Sequence, residues 1–284
     1  MGLLSKGDEA IIPSPYWVSY PDMVRVADAK PVIIETQIEN NFKITPHQLQ
    51  MSINKNTRLL FLNSPSNPTG SCYTQKELIG LAEILIKYPN IIIAADDIYE
   101  KIYWGKSEFY SLVTAAPDLK KQIITINGVS KCYAMTGWRI GYAGGPKPII
   151  NAMKTIQSQS TSNPCSISQI AAIAALSGDQ SCVKNMNVAY KERNNFLSDN
   201  LNNISGFECR KGEGAFYAFP KVSDAISNSG LKNDIELVDL ILNKAGVVMV
   251  PGTPFGAPGY VRLSFACSME ELKDAIQRLK EVLT

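Results

Sequence analysis

Residues 91–99 read Ile91-Ile92-Ile93-Ala94-Ala95-Asp96-Asp97-Ile98-Tyr99. The apolar run has no polar face, so it suits a strand buried on both sides, as in a parallel sheet. It stops on a carboxylate, and a tyrosine follows three residues on. In open α/β sheets, ligands bind beyond the carboxyl ends of the strands. A carboxylate placed there can pair with a cationic ligand atom, which lowers its pKa. It can equally cap the turn or helix that follows. Both readings stand for Asp96 at this point.

Similar runs lie on either side: Glu9–Ile12, Val32–Thr36, Leu59–Asn63 and Ile123–Asn127. Each is short, β-branched and bounded by Pro, Gly or Asn, which predicts further buried strands. Between two of them, Gln75–Lys87 puts Leu78, Leu81, Ala82, Leu85 and Ile86 on one helical face. Thr74 and Glu77 form a capping-box pair at its start. The alternation predicts an α/β fold with a mostly parallel sheet.

Near residue 180 the pattern changes. Cys182–Asn203 reads as a long polar helix. Strands are expected at Phe216–Phe219, Val247–Val250 and Tyr260–Phe265, with helices at Ile235–Lys244 and Met269–Leu283. The expected division is a large α/β domain over 1–182 and a linking helix with a small α+β domain over 183–284. The first few residues read as the end of a helix closed by Gly7.

Composition excludes several function classes. The 284 residues suit about two domains or one large one. Lys+Arg number 28 and Asp+Glu 26, a net charge of +2, and no basic block marks a nucleic-acid or anionic-membrane partner. No apolar run approaches the roughly 20 residues of a membrane helix. The six cysteines include no C-x-x-C pair, and there is one histidine. That pattern fits neither a disulfide framework nor a metal cluster, and it points to a reducing, cytoplasmic compartment. Met1-Gly-Leu-Leu-Ser-Lys-Gly7 lacks the charged and apolar regions of a signal peptide.

Four more segments bear chemistry. Asn127-Gly-Val-Ser130-Lys131-Cys-Tyr-Ala-Met-Thr-Gly-Trp-Arg139-Ile-Gly-Tyr142 sets one lysine among small and apolar residues. Desolvation lowers a lysine's pKa, and a neutral amine can form a Schiff base. Arg139 suits a phosphate or carboxylate. An exposed loop lysine is the plain alternative. Asn63-Ser-Pro-Ser-Asn67-Pro-Thr-Gly70 is a rigid turn that could aim the Asn67 amide as a donor. Pro15-Tyr-Trp17-Val-Ser-Tyr-Pro21 is an aromatic cluster that could stack on a planar ring or sit in the core. In Gly259-Tyr-Val-Arg262-Leu-Ser-Phe265 an arginine interrupts a strand. It either clamps a substrate carboxylate or faces water on an edge strand.

Taken together, these segments resemble the class I aminotransferases that depend on pyridoxal 5'-phosphate, of fold type I. The resemblance is to the bacterial aspartate aminotransferase branch related to prephenate-using members. It spans nearly the whole chain, and Gly214-Ala-Phe216-Tyr217 and Val250-Pro-Gly-Thr-Pro-Phe-Gly256 also carry it. It implies a PLP-transferase fold, with a mostly parallel large domain and a smaller C-terminal one. It implies that Lys131 is the Schiff-base lysine and proton shuttle, and that Asp96 pairs with the pyridine nitrogen. Tyr99 and Asn67 would hydrogen-bond the ring's phenolic oxygen, and Trp17 would stack on the ring. Arg139, helped by Ser130, would bind the phosphate. Arg262 would clamp the substrate α-carboxylate, with Phe216 packed nearby. The implied reaction moves an amino group between an amino acid, aspartate first, and 2-oxoglutarate in a homodimer, with no metal. Prephenate or another amino acid, or a lyase reaction on the same fold, are the alternatives.

The resemblance also implies a segment ahead of Gly7 that is not in these 284 residues. It would hold the phosphate-cradling turn, an arm, a tyrosine reaching a neighbouring subunit and a lysine that reads the distal carboxylate. The expectation is that exposed apolar faces and weakened PLP binding accompany its absence, and that the chain as given is an inactive piece if that loss is complete.

Overall fold

The computed structural model describes residues 2–283. Its larger sheet contains β1 (Glu9–Ser14), β2 (Lys30–Glu35), β3 (Thr57–Asn63), β4 (Ile92–Asp96), β5 (Ile123–Gly128) and β6 (Gly141–Gly144). The order is β2-β1-β3-β4-β5-β6. The first five strands run parallel, and β6 pairs antiparallel with β5. A second sheet holds β7 (Tyr217–Ala218), β8 (Val250–Pro251) and β9 (Val261–Ser264), antiparallel in the order β7-β9-β8.

The helices are α1 (Ser19–Val26), α2 (Pro46–Ser52), α3 (Gln75–Leu85), α4 (Leu112–Ala115), α5 (Lys147–Ser158), α6 (Ser166–Ser177), α7 (Ser181–Leu201), α8 (Ser223–Asn228), α9 (Asp234–Ala245) and α10 (Met269–Leu283). Thr74 caps α3 by accepting from the Glu77 amide, and Glu77 reaches back to the Thr74 amide at 2.7 Å. Two of the four orphan donors at that helix end are thereby satisfied. Thr45 and Gln48 repeat the device at α2.

Strand alternation divides the core of the large sheet. Ile11, Leu60, Leu62, Ile93 and Ala95 face one side, where Leu49 of α2 and Leu78, Leu81 and Leu85 of α3 close over them. Ala10, Ile12, Leu59, Phe61 and Ala94 face the other, against Tyr20 and Val24 of α1. Covering both faces is what lets these strands be apolar throughout. Residues of α7, α8, α9 and α10 pack on the smaller sheet in a third cluster, around Leu237, Val261 and Phe265.

The predicted strands and the helices at residues 75, 182, 235 and 269 are present, with ends shifted by up to about three residues. One expectation fails. Residues 2–8 form no helix: Ser5 and Asp8 close a turn, with Asp8 N donating to Ser5 O and Asp8 Oδ2 accepting from Ser5 N. Gly7 sits at φ +96° inside that turn, a conformation that favours glycine without needing a helix before it. The strand Gly141–Gly144, which supplies β6, is not among the strands the residues predict.

In register, Asn63 at the end of β3 faces Asp96 at the end of β4. Gly70, at φ +69°, lets the Asn67 turn press against the strand leading to β7. A Cβ there would lie 2.9 Å from the Gly214 carbonyl, while the Gly70 carbonyl accepts from Glu213 and Gly214 amides. This close backbone approach ties the two sheets together beside the strand ends.

Candidate active site

A cavity of about 340 Å³ opens where the carboxyl ends of β3, β4 and β5 meet the smaller sheet, within the size range of small-molecule sites. Its walls include Trp17, Asn67, Asp96, Tyr99, Lys131 and Arg262. Six of the nine residues singled out in the sequence therefore share one chamber, drawn from five separate segments.

Asp96 ends β4 half-buried. Its Oδ2 accepts the Tyr20 hydroxyl at 2.5 Å and its Oδ1 the Ile98 amide at 3.3 Å. Burial raises the carboxyl above its ordinary 3.8; the hydrogen bonds from Tyr20 and Ile98 and the charge of Lys131 oppose this. Asp96 thus lines the cavity with its carboxylate while one oxygen accepts from the turn that follows β4.

Lys131 follows β5 and lines the same cavity, half-buried, which excludes the exposed-loop alternative. Burial lowers its amine below the ordinary 10.5; Arg139 and Arg262 add to the effect by charge repulsion, and Asp96 counters it. Tyr99 is buried, and its phenol is held well above the usual range, first by burial and then by Tyr217.

Arg262 lies on β9, the middle strand of its sheet, so the edge-strand alternative fails. Its Nη1 donates to Asn67 Oδ1 at 2.9 Å. The guanidinium carbon sits 4.6 Å from the Tyr217 ring and 4.9 Å from the Phe255 ring. Its Nε is buried without a partner among the described residues. A buried cationic donor left unpaired calls for an anion in the cavity. The Asn67 amide nitrogen is left for the chamber, because Oδ1 is taken by Arg262 and the Asn67 backbone donates to Asn63 Oδ1. Trp17, 36% exposed, stands edge-on to Tyr20 at 5.4 Å.

Three predicted residues lie outside the lining. Arg139 is exposed and donates to the Thr136 carbonyl at 2.9 Å, although its charge reaches Lys131. Ser130 is half-buried beside Lys131. Phe216 packs behind Tyr99 at 5.5 Å. Tyr20, Asn63 and Tyr217 line the cavity and were not singled out. Tyr20 stood inside the quoted aromatic cluster, three positions after Trp17 and so one helical turn on. Tyr217 stood inside Gly214-Ala-Phe-Tyr, next to Phe216, and its ring lies 4.7 Å from the Phe216 ring with both packed on Tyr99.

The arrangement offers a flat aromatic wall, a carboxylate, a desolvated amine and a carboxylate-sized cation. Those features fit pyridoxal phosphate, whose ring nitrogen Asp96 would face. No group of three or more His, Cys, Asp or Glu among the described residues could hold a metal ion. No described helix is long and apolar enough to cross a membrane.

Comparison with known proteins agrees with this geometry. A family model described as aminotransferase class I and II matches residues 1–279. An aspartate/prephenate aminotransferase of Nitrosomonas europaea is 53% identical, the match covering 100% of this chain and 73% of that protein. An aspartate aminotransferase of Geobacillus stearothermophilus is 49% identical, covering 98% of this chain and 70% of that one. The crystal structure of the aspartate aminotransferase from Rhizobium meliloti superposes with a TM-score of 0.95 at 41% identity, over 99% of this chain and 72% of its own. The chain belongs to the class I and II aminotransferases, which are enzymes dependent on pyridoxal phosphate.

Proposed function

We propose that this chain moves an amino group between aspartate and 2-oxoglutarate. The observation that carries the reading is the convergence of Lys131, Asp96 and Arg262 on one cavity. The names of the relatives from Nitrosomonas and Geobacillus support aspartate as the amino donor. The first of those names also supports prephenate as an acceptor of the amino group.

Asp96, Tyr99, Asn67 and Trp17 would hold the cofactor ring, and Arg139 with Ser130 its phosphate. When bound, pyridoxal phosphate supplies an aldehyde that condenses with amines and a ring that accepts the electron pair left by a breaking Cα–H bond. Asp96 would face the ring nitrogen and, when ionised, would favour a positive charge there. Arg262 takes the substrate α-carboxylate on the fork that Asn67 and the two aromatic rings hold in place. Lys131 Nζ, its proton affinity lowered by burial and by two nearby cations, accepts the α-proton. Such proton transfer is worth roughly 10²- to 10⁴-fold in rate.

The proposed assembly is a cytoplasmic homodimer. All six cysteines are free thiols, which supports a reducing compartment. The apolar stripe Ile167, Ile170, Ile173 on α6 supports a partner surface.

The test is an absorption spectrum of the chain with pyridoxal phosphate, before and after aspartate. The expected result is a visible band that aspartate removes and 2-oxoglutarate restores, and that Lys131→Ala never shows. A wild-type chain with no band, or a band that aspartate leaves unchanged, overturns the reading.

A further inference from the structure

Tyr217 touches both ends of the cavity. It is buried on β7, and its hydroxyl lies 3.0 Å from that of Tyr99. Its ring faces the Arg262 guanidinium at 4.6 Å. Among the described residues neither phenol has another hydrogen-bond partner. A hydroxyl pair this close shares one hydrogen, so the phenol that donates leaves the other's proton for a different acceptor. Tyr99 stands on the turn that follows Asp96, beside the ring-holding part of the cavity.

From this geometry we infer that Tyr217 is a positioning residue for both halves of the site. Its hydroxyl donates to Tyr99 and turns the Tyr99 proton toward the cavity, while its ring carries Arg262 through a cation–π contact. The inference rests on the proposed reading of the cavity as an aminotransferase site.

The two halves separate by substitution. Tyr217→Phe removes the O–H and keeps the ring, whereas Tyr217→Leu removes both. Loss of one buried neutral hydrogen bond predicts pyridoxal phosphate binding about 3- to 10-fold weaker in Tyr217→Phe, with binding of the dicarboxylate maleate to the loaded protein unchanged. Loss of the ring face predicts maleate binding about 5- to 30-fold weaker in Tyr217→Leu.

A double-mutant cycle read by fluorescence titration of pyridoxal phosphate tests the link to Tyr99. If Tyr217 acts through Tyr99, the Tyr99→Phe/Tyr217→Phe protein binds the cofactor no more weakly than Tyr99→Phe alone. Additive losses overturn the inference, and so does a Tyr217→Phe protein with wild-type cofactor affinity. A purely structural Tyr217 would weaken both ligands together in Tyr217→Phe, which also overturns it. Because the Phe variant keeps the packing, this arm decides even where Tyr217→Leu fails to fold. If the wild-type chain shows no Lys131-dependent band, the reading of the site itself fails and takes this inference with it. If that band is present and the variants behave as wild type, only the inference fails.

Discussion

The Tyr20 hydroxyl donates to Asp96 Oδ2 over 2.5 Å, across 76 positions of sequence. Tyr20 is itself fixed: its ring stacks on Phe61 at 4.6 Å and meets Trp17 edge-on. One buried aromatic thus joins the wall of the cavity to its carboxylate. Burial of Asp96 favours the protonated form, and the tyrosine works against that burial.

Tyr20→Phe keeps the stacking and removes the donor. A hydrogen bond to a charged group is worth about 1.5–3 kcal/mol, and 1.36 kcal/mol is one pKa unit. The Asp96 carboxyl should therefore rise further. Its folded value is already raised, so any stability it lends is present at low pH and fades as pH rises through the folded value. The expected outcome is that the acid limb of pyridoxal phosphate binding moves to higher pH. Titrating cofactor binding from pH 5 to 9 checks it, and a limb that stays in place shows that Tyr20 does not govern Asp96.

Asp97 presents a second buried carboxyl. It is 3% exposed, its Oδ2 has no partner, and burial, aided by Glu100 and Asp96, pushes it up to about 8 from 3.8. Between those values the folded chain holds a proton that the unfolded chain has released. Stability should then fall as pH rises through that window, at up to about 1.4 kcal/mol per unit from this group. Asp97→Asn removes the titration and keeps the shape. Urea unfolding at pH 5 and pH 8 should show a variant more stable than wild type at pH 8, with a shallower decline. Equal slopes in the two proteins would mean that Asp97 is ionised in the folded chain.

Much of this arrangement was legible in the residues. Ile91–Asp96 and its sister runs have no polar face, which only a covered parallel sheet explains, and the end of such a strand announces a ligand position. Other features depend on context that a local pattern lacks. Gly141–Gly144 is half glycine and shows no apolar–polar alternation, so β6 gave no strand signal. Phe216 and Tyr217 differ by one position, and parity along a two-residue strand can be fixed only by its partner β9. Whether Arg262 faced water depended on β9 being central, a fact of sheet order rather than of composition.

Arg139 is exposed yet lowers the Lys131 amine. Removing its charge in Arg139→Gln should raise that amine toward 10.5, because burial and Arg262 alone then hold it down. The neutral form is the reactive one, so reactivity climbs as pH rises through the pKa. Acylation of Lys131 in the cofactor-free chain, followed by peptide mass spectrometry against pH, should have its midpoint below 10.5 in wild type and higher in the variant. Coincident midpoints would leave burial and Arg262 as the causes.

On α6, Ile167, Ile170 and Ile173 are 75%, 66% and 57% exposed, each three residues from the next. Helix α5 has no buried residue, and α6 buries only Ser168 and Ala172. Residues three apart lie on one helical face, so the isoleucines form a continuous apolar stripe. Fully burying each would contribute about 1.5–3 kcal/mol, enough in sum to drive association. Ile170→Glu with Ile173→Glu adds charge to the exposed face of α6. Such surface changes usually move stability by no more than about 0.5 kcal/mol each, so the unfolding midpoint should hold. Sedimentation velocity over a hundredfold range of concentration should show wild type self-associating and the double variant remaining monomeric. If both sediment alike, the stripe is not the contact between subunits, and the proposed homodimer must close on another face.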